Sequence, residues 1–303
     1  MIYKYKKTGW IAALICCVLM SCEKEIEPYV PGYGQEVYVN FFNAVEASMQ
    51  GSTDSGSELL KDNMVYIGDS VKTDLFAYGY PKFSELRDND NRQFPNNMVA
   101  AGGAAIWAGP GQATDKVVYW MPFAVGNAQR FIFTSAHKTY LRDTTMSLQP
   151  KSYNMLYLTE SPQADDAYTI VHVPIEPKGV EGKVKIKIVN LSPDLGPVVV
   201  VMMDADSIAQ TVVEDLGFGK YSDYAELSVE QANIYQQLIL KIKKQGENHF
   251  VLTTALEASS TSTYVVVIRG FANETKRYIK RTNTENAEVQ ISPKLRVQSR
   301  RVY

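Results

Sequence analysis

The chain has 303 residues, 45% hydrophobic and 21% charged, with a formal net charge of -2. This is an ordinary globular composition, long enough to bury a sizeable core and to form roughly two domains. Loss of Lys4, Lys6 and Lys7 with a leader leaves 28 basic against 33 acidic residues, a balance that excludes a phosphate-backbone partner such as nucleic acid.

The first predicted element is that leader. Lys4, Lys6 and Lys7 make a positive n-region, and Gly9 to Met20 is a short apolar h-region. A membrane-spanning helix needs roughly 20 apolar residues, so this stretch is expected to be a signal peptide over 1–21 rather than an anchor. Leu19-Met20-Ser21-Cys22 resembles the lipobox of bacterial lipoproteins. That resemblance implies cleavage between Ser21 and Cys22 and a diacylated Cys22, which makes the membrane the first expected partner. The cysteine count agrees, because Cys16 and Cys17 lie in the leader and Cys22 alone remains, so no intramolecular disulfide can form. A chain of this size does not need one.

Residues 22–35 read as a polar tether, Glu23-Lys24-Glu25-Ile26-Glu27-Pro28 followed by Tyr29-Val30-Pro31-Gly32-Tyr33-Gly34. The acidic residues after Cys22 resemble the export signal of Bacteroidetes-type lipoproteins. They imply an outer-membrane location facing the cell surface, with a periplasm-facing position as the alternative.

Beyond the tether, period-two alternation predicts strands at Val37–Phe42, Val117–Met121, Arg130–Thr134, Tyr153–Thr159, Lys183–Ile188, Leu238–Lys244 and Tyr264–Arg269. In Lys183-Val184-Lys185-Ile186-Lys187-Ile188 the apolar face is expected to pack and the lysine face to meet water. Val117-Val118-Tyr119-Trp120-Met121 is apolar on both faces, the pattern of a strand that is buried twice or meets a partner. Val229–Leu240 carries the only helix-like spacing, in competition with a strand from about Tyr235.

An internal repeat organises these strands. Glu36–Asn43 matches Lys183–Asn190, each an alternating strand closed by Asn, and Leu148–Tyr157 matches Leu256–Val265, a polar turn before a Tyr-led strand. The expected fold is all-β. It has two tandem immunoglobulin-like β-sandwich domains at 36–174 and 180–292, joined near Pro174-Ile175-Glu176-Pro177 and followed by a tail at 293–303.

Val189-Asn190-Leu191-Ser192-Pro193-Asp194, the strand Val198–Met203 and Leu216-Gly217-Phe218-Gly219-Lys220-Tyr221-Ser222-Asp223-Tyr224 resemble the motifs of the bacterial family called domain of unknown function 4397. The resemblance covers about residues 183–270, and the first half keeps only fragments of the pattern. It implies an immunoglobulin-like β-sandwich in a secreted or lipid-anchored protein, without an assigned activity. Ser192-Pro193-Asp194 is turn chemistry, with Ser192 or Asp194 expected to bond nearby backbone amides.

Catalytic and metal patterns are thin. His137, His172 and His249 are isolated, so no metal site is expected. Asp88-Asn89-Asp90-Asn91 departs from a calcium loop at Arg92 and Gln93. No nucleophile elbow, P-loop or dinucleotide fingerprint occurs, and no cofactor is expected. Aromatic residues concentrate in the first half, and Trp107, with Tyr78 and Tyr80, is the candidate ligand-facing set because such rings suit sugar rings and protein partners. Asp69-Ser70-Val71, Asp143-Thr144-Thr145 and Asp206-Ser207-Ile208 resemble O-glycosylation triplets of Bacteroidetes-type exported proteins. The expected function is non-enzymatic binding of glycan or envelope protein. The alternatives are a glycan-active hydrolase with two carboxylates, or a purely structural envelope component.

Overall fold

Alternating sequence builds the sheets of a computed structural model that describes residues 36–54, 63–69, 82–84, 93–94, 118, 120–124, 128–134, 140–204, 209–280 and 284–303. The first half contains β1 (Glu36–Asn43), α1 (Glu46–Asp54), β2 (Met64–Asp69), β3 (Lys82–Ser84), β4 (Gln93–Phe94), β5 (Met121–Ala124), β6 (Gln129–Thr134), β7 (Tyr140–Met146), β8 (Tyr153–Glu160) and β9 (Tyr168–Ile175). The second contains β10 (Lys183–Asn190), β11 (Val198–Met203), β12 (Ala209–Leu216), β13 (Ala225–Ser228), β14 (Gln237–Lys244), β15 (Leu252–Glu257), β16 (Thr263–Arg269), β17 (Thr275–Lys280), β18 (Asn286–Ile291) and β19 (Arg296–Arg301). The described residues are all-β apart from α1 and a 3-10 turn at Val229–Gln231. No helix among the described residues is long and apolar enough to cross a membrane.

Each half is a β-sandwich of immunoglobulin-like build, and the two follow one plan. In the first, β1 pairs in parallel with β8, which pairs antiparallel with β9, and β5 and β4 share the other edge of β1. In the second, β10 pairs in parallel with β16, β16 antiparallel with β19, and β13 takes the other edge of β10. The facing sheets run β3-β2-β6-β7 and β12-β11-β14-β15. Val37, Val39 and Phe41 of β1 and Leu156 and Leu158 of β8 meet Val65, Ile67, Phe131 and Phe133 in the first core. Val184, Ile186 and Ile188 of β10 and Val266 and Ile268 of β16 meet Val198, Val200, Leu240 and Ile242 in the second.

The repeat extends to single hydrogen bonds. Asn43 Oδ1 accepts from Val45 N at 3.0 Å and Asn190 Oδ1 from Ser192 N at 3.1 Å, so each closing Asn bonds the amide two residues on. Lys151 N donates to Glu36 O and Thr261 N to Lys183 O, and both donors lie in the left-handed region at φ 61° and 69°. Lys151 therefore corresponds to Thr261, whereas the sequence match sets it against Ser259. The slip is two residues, one strand period, and a shift by the full period leaves every side chain on its own face, so alternation cannot detect it.

A third apolar cluster lies between the halves. Phe42, Met155, Tyr157, Val171, Val173 and Ile175 on the outer face of the β1-β8-β9 sheet pack on Val189, Leu191, Val265, Val267 and Val302 from β10, β16 and the C-terminus. Four sheets thus stack face to face, and both central strands are buried on two sides. This corrects the reading of β10: Lys185 and Lys187 are 5% and 7% exposed, because the first half covers the face that alternation alone would give to water. The strand read over Val117–Met121 is shifted: β5 begins at Met121, which joins the first core, while Val118 before it joins the seam without strand pairing.

Three further elements differ from the sequence reading. Residues 296–301, read as a tail, are β19, an edge strand of the central sheet. Within Val229–Leu240 the helical spacing yields only the 3-10 turn before β14 begins at Gln237. The β17–β18 hairpin leaves the second half and places Phe271, Ile279 and Ile291 in the first core, and Gln50 Nε2 in the segment after Glu46 donates to Ser292 O at 3.1 Å.

Candidate functional site

Ser21, Cys22, Tyr78, Tyr80 and Trp107 lie outside the described residues, as do His137, the Asp88–Asn91 stretch, Ser70 and Val71 of the Asp69 triplet and all of the Asp206 triplet. Asp143 stands on β7 in a bidentate pair with Arg130, Nε to Oδ1 at 3.0 Å. His172 Nε2 lies 2.7 Å from Asn154 Oδ1, and the exposed His249 lies 3.1 Å from Glu247. No three His, Cys, Asp or Glu side chains among the described residues come together as a metal site.

The family-like motif folds into one clasp. Asn190 Nδ2 donates to the carbonyls of Gly196 and Leu216 at 3.0 and 2.9 Å, while its backbone exchanges bonds with Gly219 and Lys220. Ser192 Oγ donates to Gly270 O at 2.7 Å, and Asp194 accepts from the amides of Ala272 and Asn273 at 2.7 and 2.8 Å. The partners are therefore some 78 residues away in sequence rather than local. Gly270 is required there: its φ is +87°, and a Cβ would stand 2.0 Å from Lys294 O. Through these bonds Ser192 and Asp194 hold loops together.

That clasp positions the constellation with the most chemistry. Ser222 Oγ accepts from Ile188 N at 3.0 Å, and its own amide donates to Ile188 O at 2.9 Å. With a bridge between Val189 and Tyr221, these bonds fix Tyr221 and Tyr224 beside the lysines of β10. Lys187 Nζ lies 4.4 Å from the Tyr224 ring centroid and 5.0 Å from that of Tyr221, and donates to Pro174 O at 2.9 Å. Lys185 Nζ lies 4.5 Å from the Tyr224 ring and 2.9 Å from Glu176 Oε2. Tyr224 Oη accepts from Glu176 N at 3.0 Å. Burial holds the Lys187 pKa below the ordinary lysine range and pushes that of Tyr224 up, while the Lys185 hydrogen bond lowers that of Glu176.

The two ammonium groups are already bonded, so the part of this cluster open to an outside molecule is the Tyr221 ring, 40% exposed, and the Glu176 carboxylate, 63% exposed. An aromatic ring beside fixed hydrogen-bonding groups can stack on an apolar sugar or peptide face and orient it. Sequence alternation hid this site by giving Lys185 and Lys187 to solvent. The signal that could have found it is the repeat: their counterparts in β1 are Tyr38 and Asn40, on a face that also carries Phe42.

The paired-carboxylate reading meets two places. A cleft of about 340 Å³ is lined by Asp165, Asp166, Tyr278 and Asn286. Arg277 Nη1 lies 3.7 Å from Asp165 and donates to Ser161 O and Ala164 O at 2.9 Å, so this corner braces the β17–β18 hairpin. Among the described carboxyl groups, Glu160 is the one whose pKa burial raises, up to about 7, although a hydrogen bond from Ala47 N at 2.8 Å opposes the shift. It is 2% exposed and out of reach of a substrate.

Glu160 does give a pH dependence. A raised folded-state pKa means the native protein keeps a proton that the unfolded chain has lost, so stability falls as pH rises through the window from about 4.5 to 7 and levels off above it. The full effect is on the order of 3 kcal/mol. Glu160→Gln keeps an acceptor for Ala47 N, and urea unfolding at stepped pH is expected to show that slope flattened; an unchanged slope would assign it to other groups.

No family model matches the chain. No curated protein matches it either. Among solved structures, the chain is similar to a family 26 carbohydrate-binding module from Eubacterium rectale Amy13K in complex with maltoheptaose, at 12% identity over 85% of this chain and 98% of that one, with a TM-score of 0.19. It is similar to a candidate cell adhesion protein from Bacteroides ovatus at 9% identity over 88% and 98% of the two chains, TM-score 0.18. It is also similar to the shaft pilin SpaA from Lactobacillus rhamnosus GG at 11% identity over 77% and 96%, TM-score 0.16. Superpositions at this level do not establish a common fold, and the β-sandwich architecture rests on the strand pairings themselves.

Proposed function

We propose that this is a lipid-anchored envelope protein, acylated at Cys22 and facing the cell surface from the outer membrane, that binds a glycan without transforming it. The observation that carries the binding role is the exposed Tyr221 ring backed by Lys187, in a cluster that Tyr224 and Lys185 extend to the exposed Glu176, on a scaffold fixed from both sandwiches. The motif that resembles the domain of unknown function 4397 family is also the motif that sets this ring in place, which supports reading it as the presenting element of that half. Lipobox, tether and the single remaining cysteine support the anchor.

Two measurements test the reading separately. Mass spectrometry of the mature N-terminus is expected to find Cys22 with a thioether-linked diacylglycerol, and an unmodified Cys22 would remove the anchor. Calorimetric titration against a glycan panel is expected to find a ligand whose affinity falls at least about tenfold in Tyr221→Ala, the loss of one stacking anchor, with the melting temperature held within a few degrees. If no glycan binds, and envelope proteins instead co-purify with the chain, the role is scaffolding.

A further inference from the structure

Ile234 and Tyr235 are 87% and 74% exposed, well beyond the other exposed large apolar side chains of the described residues. They do not belong to a loose loop. Asn233 Oδ1 accepts from Tyr235 N at 2.9 Å and Gln237 N at 3.1 Å, Asn233 N donates to Gln237 O, and Gln236 N donates back to Asn233 O. Gln236 sits in the left-handed region at φ 57°, and its carbonyl accepts from Ala258 N. The turn is therefore rigid and holds two apolar side chains away from the protein, where water solvates them at a cost that an apolar acceptor would remove.

The position of the turn identifies the acceptor. It follows β13, whose Ser228 pairs with Lys183 at the start of β10, and Thr261 N donates to Lys183 O in the same way that Lys151 N donates to Glu36 O. Tyr38 pairs with Tyr153, Tyr153 with Ile175, and the neighbouring Glu176 binds Lys185. The starts of β1 and β10 thus lie at one end of the sheet stack. The turn is at that end, and so is Glu36, where the 35 preceding residues join the fold. The C-terminal Tyr303, 46% exposed, is there too, bonded through its carbonyl to Thr263 N. Exposed charges at this end have both signs (Lys151, Glu230, Glu257, Arg301), so a lipid surface would be met through apolar contact rather than through net charge.

We infer that the Ile234–Tyr235 turn is a lipid contact: Ile234 enters the acyl boundary and Tyr235 rests among zwitterionic headgroups, which orients the sandwich stack on the membrane that holds its tether. A protruding aliphatic side chain beside a tyrosine suits such an interface, where one end of the pair is apolar and the other wet. The inference rests on the lipid anchor proposed above. It adds a second, protein-borne contact, of the kind a lipid-tethered domain requires if it is to be held in one orientation.

The experiment imposes the tether chemically, so that the two ideas fail separately. The mature chain, whose sole cysteine is Cys22, is coupled through that thiol to maleimide-headgroup lipid in phosphatidylcholine vesicles. Tryptophan is introduced as Tyr235→Trp, or as Phe250→Trp at the far end of β14, and emission is read as the difference from the parent protein. With bromine-labelled phosphatidylcholine, the signal from position 235 is expected to be quenched at least twofold and shifted to the blue. Adding Ile234→Ser should reduce that quenching, and the signal from position 250 should stay as in buffer. Equal quenching at 235 and 250 overturns the inference. So does an unquenched position 235 that becomes shielded by a co-purifying envelope protein, which would make the turn a protein contact. Whether the cell acylates Cys22 is read independently from the mass of the native N-terminus.

Discussion

Arg269→Ala is expected to lower the free energy of unfolding by about 3–5 kcal/mol, the range for removing one partner of a buried ion pair. Arg269 closes β16 at 1% exposure, and its Nη1 lies 2.6 Å from Oε1 of Glu46, which is fully buried at the start of α1. The guanidinium also lies 5.8 Å from the Phe42 ring and 3.5 Å from Met49 Sδ, so the pair joins the two halves of the chain. Without it, Glu46 would face Arg296 Nε at 3.7 Å, a longer contact than the 2.6 Å one it loses. The loss is dominated by a carboxylate left in a low-dielectric site rather than by the worth of the pair itself. Glu46→Leu combined with Arg269→Met should therefore recover most of the stability lost by Arg269→Ala. Urea unfolding of the single and double variants separates these terms, and a double variant as unstable as the single would locate the cost in packing instead.

The pair also marks the limit of what the amino-acid sequence conveys. Strands with one polar face, such as β14, were legible because period-two alternation reports directly which face meets water. Strands β1, β8 and β16 were legible as strands, and Val, Ile, Phe and Tyr on both faces say that both are covered but not by which element. The lysines of β10 misled for a related reason: a long ammonium side chain can lie under a tyrosine ring and reach a carbonyl, as Lys187 does with Tyr224 and Pro174, so charge does not guarantee solvent. The repeat was readable because turn chemistry at Asn43 and Asn190 recurs, while its exact register was not. Tyr221 and Tyr224 were visible as part of a motif, but Lys187 beside both rings and Glu176 beside Tyr224 are brought to them by strand pairing and sheet stacking, long-range events with no local signature. The Ile234–Tyr235 turn was masked by helical spacing in Val229–Leu240, where apolar residues three and four apart are divided between a core strand and the surface.

Separating the halves is expected to abolish the fold of the first. A chain ending at Pro177 retains every strand from β1 to β9, yet it loses Phe271, Ile279 and Ile291, which are 1%, 4% and 0% exposed inside the first core. It also loses the cover over Phe42, Met155, Tyr157, Val171 and Val173 at the seam, and the Arg277 guanidinium that binds Ser161 and Ala164 in the β8–β9 connection. Uncovering the outer face of one sheet and emptying three places in the core behind it removes apolar burial on the scale of several large side chains, each worth about 1.5–3 kcal/mol, and a domain's total margin is only about 5–15 kcal/mol. The dependence is mutual. A two-stranded hairpin is marginal in water by itself, so β17–β18 needs the first half to pack on, as the first half needs it to close. Within the intact chain, Phe271→Ala should cost about 3–5 kcal/mol and should shift one common transition, because a residue that belongs to the second half by sequence fills the core of the first. Urea unfolding of a Trp107→Phe background, followed by the emission of Trp120 in the seam and by far-ultraviolet circular dichroism, would report coincident midpoints. Two separated transitions, or a cooperatively folded 23–177 fragment, would show instead that the sandwiches are independent and that the hairpin only rests on its neighbour.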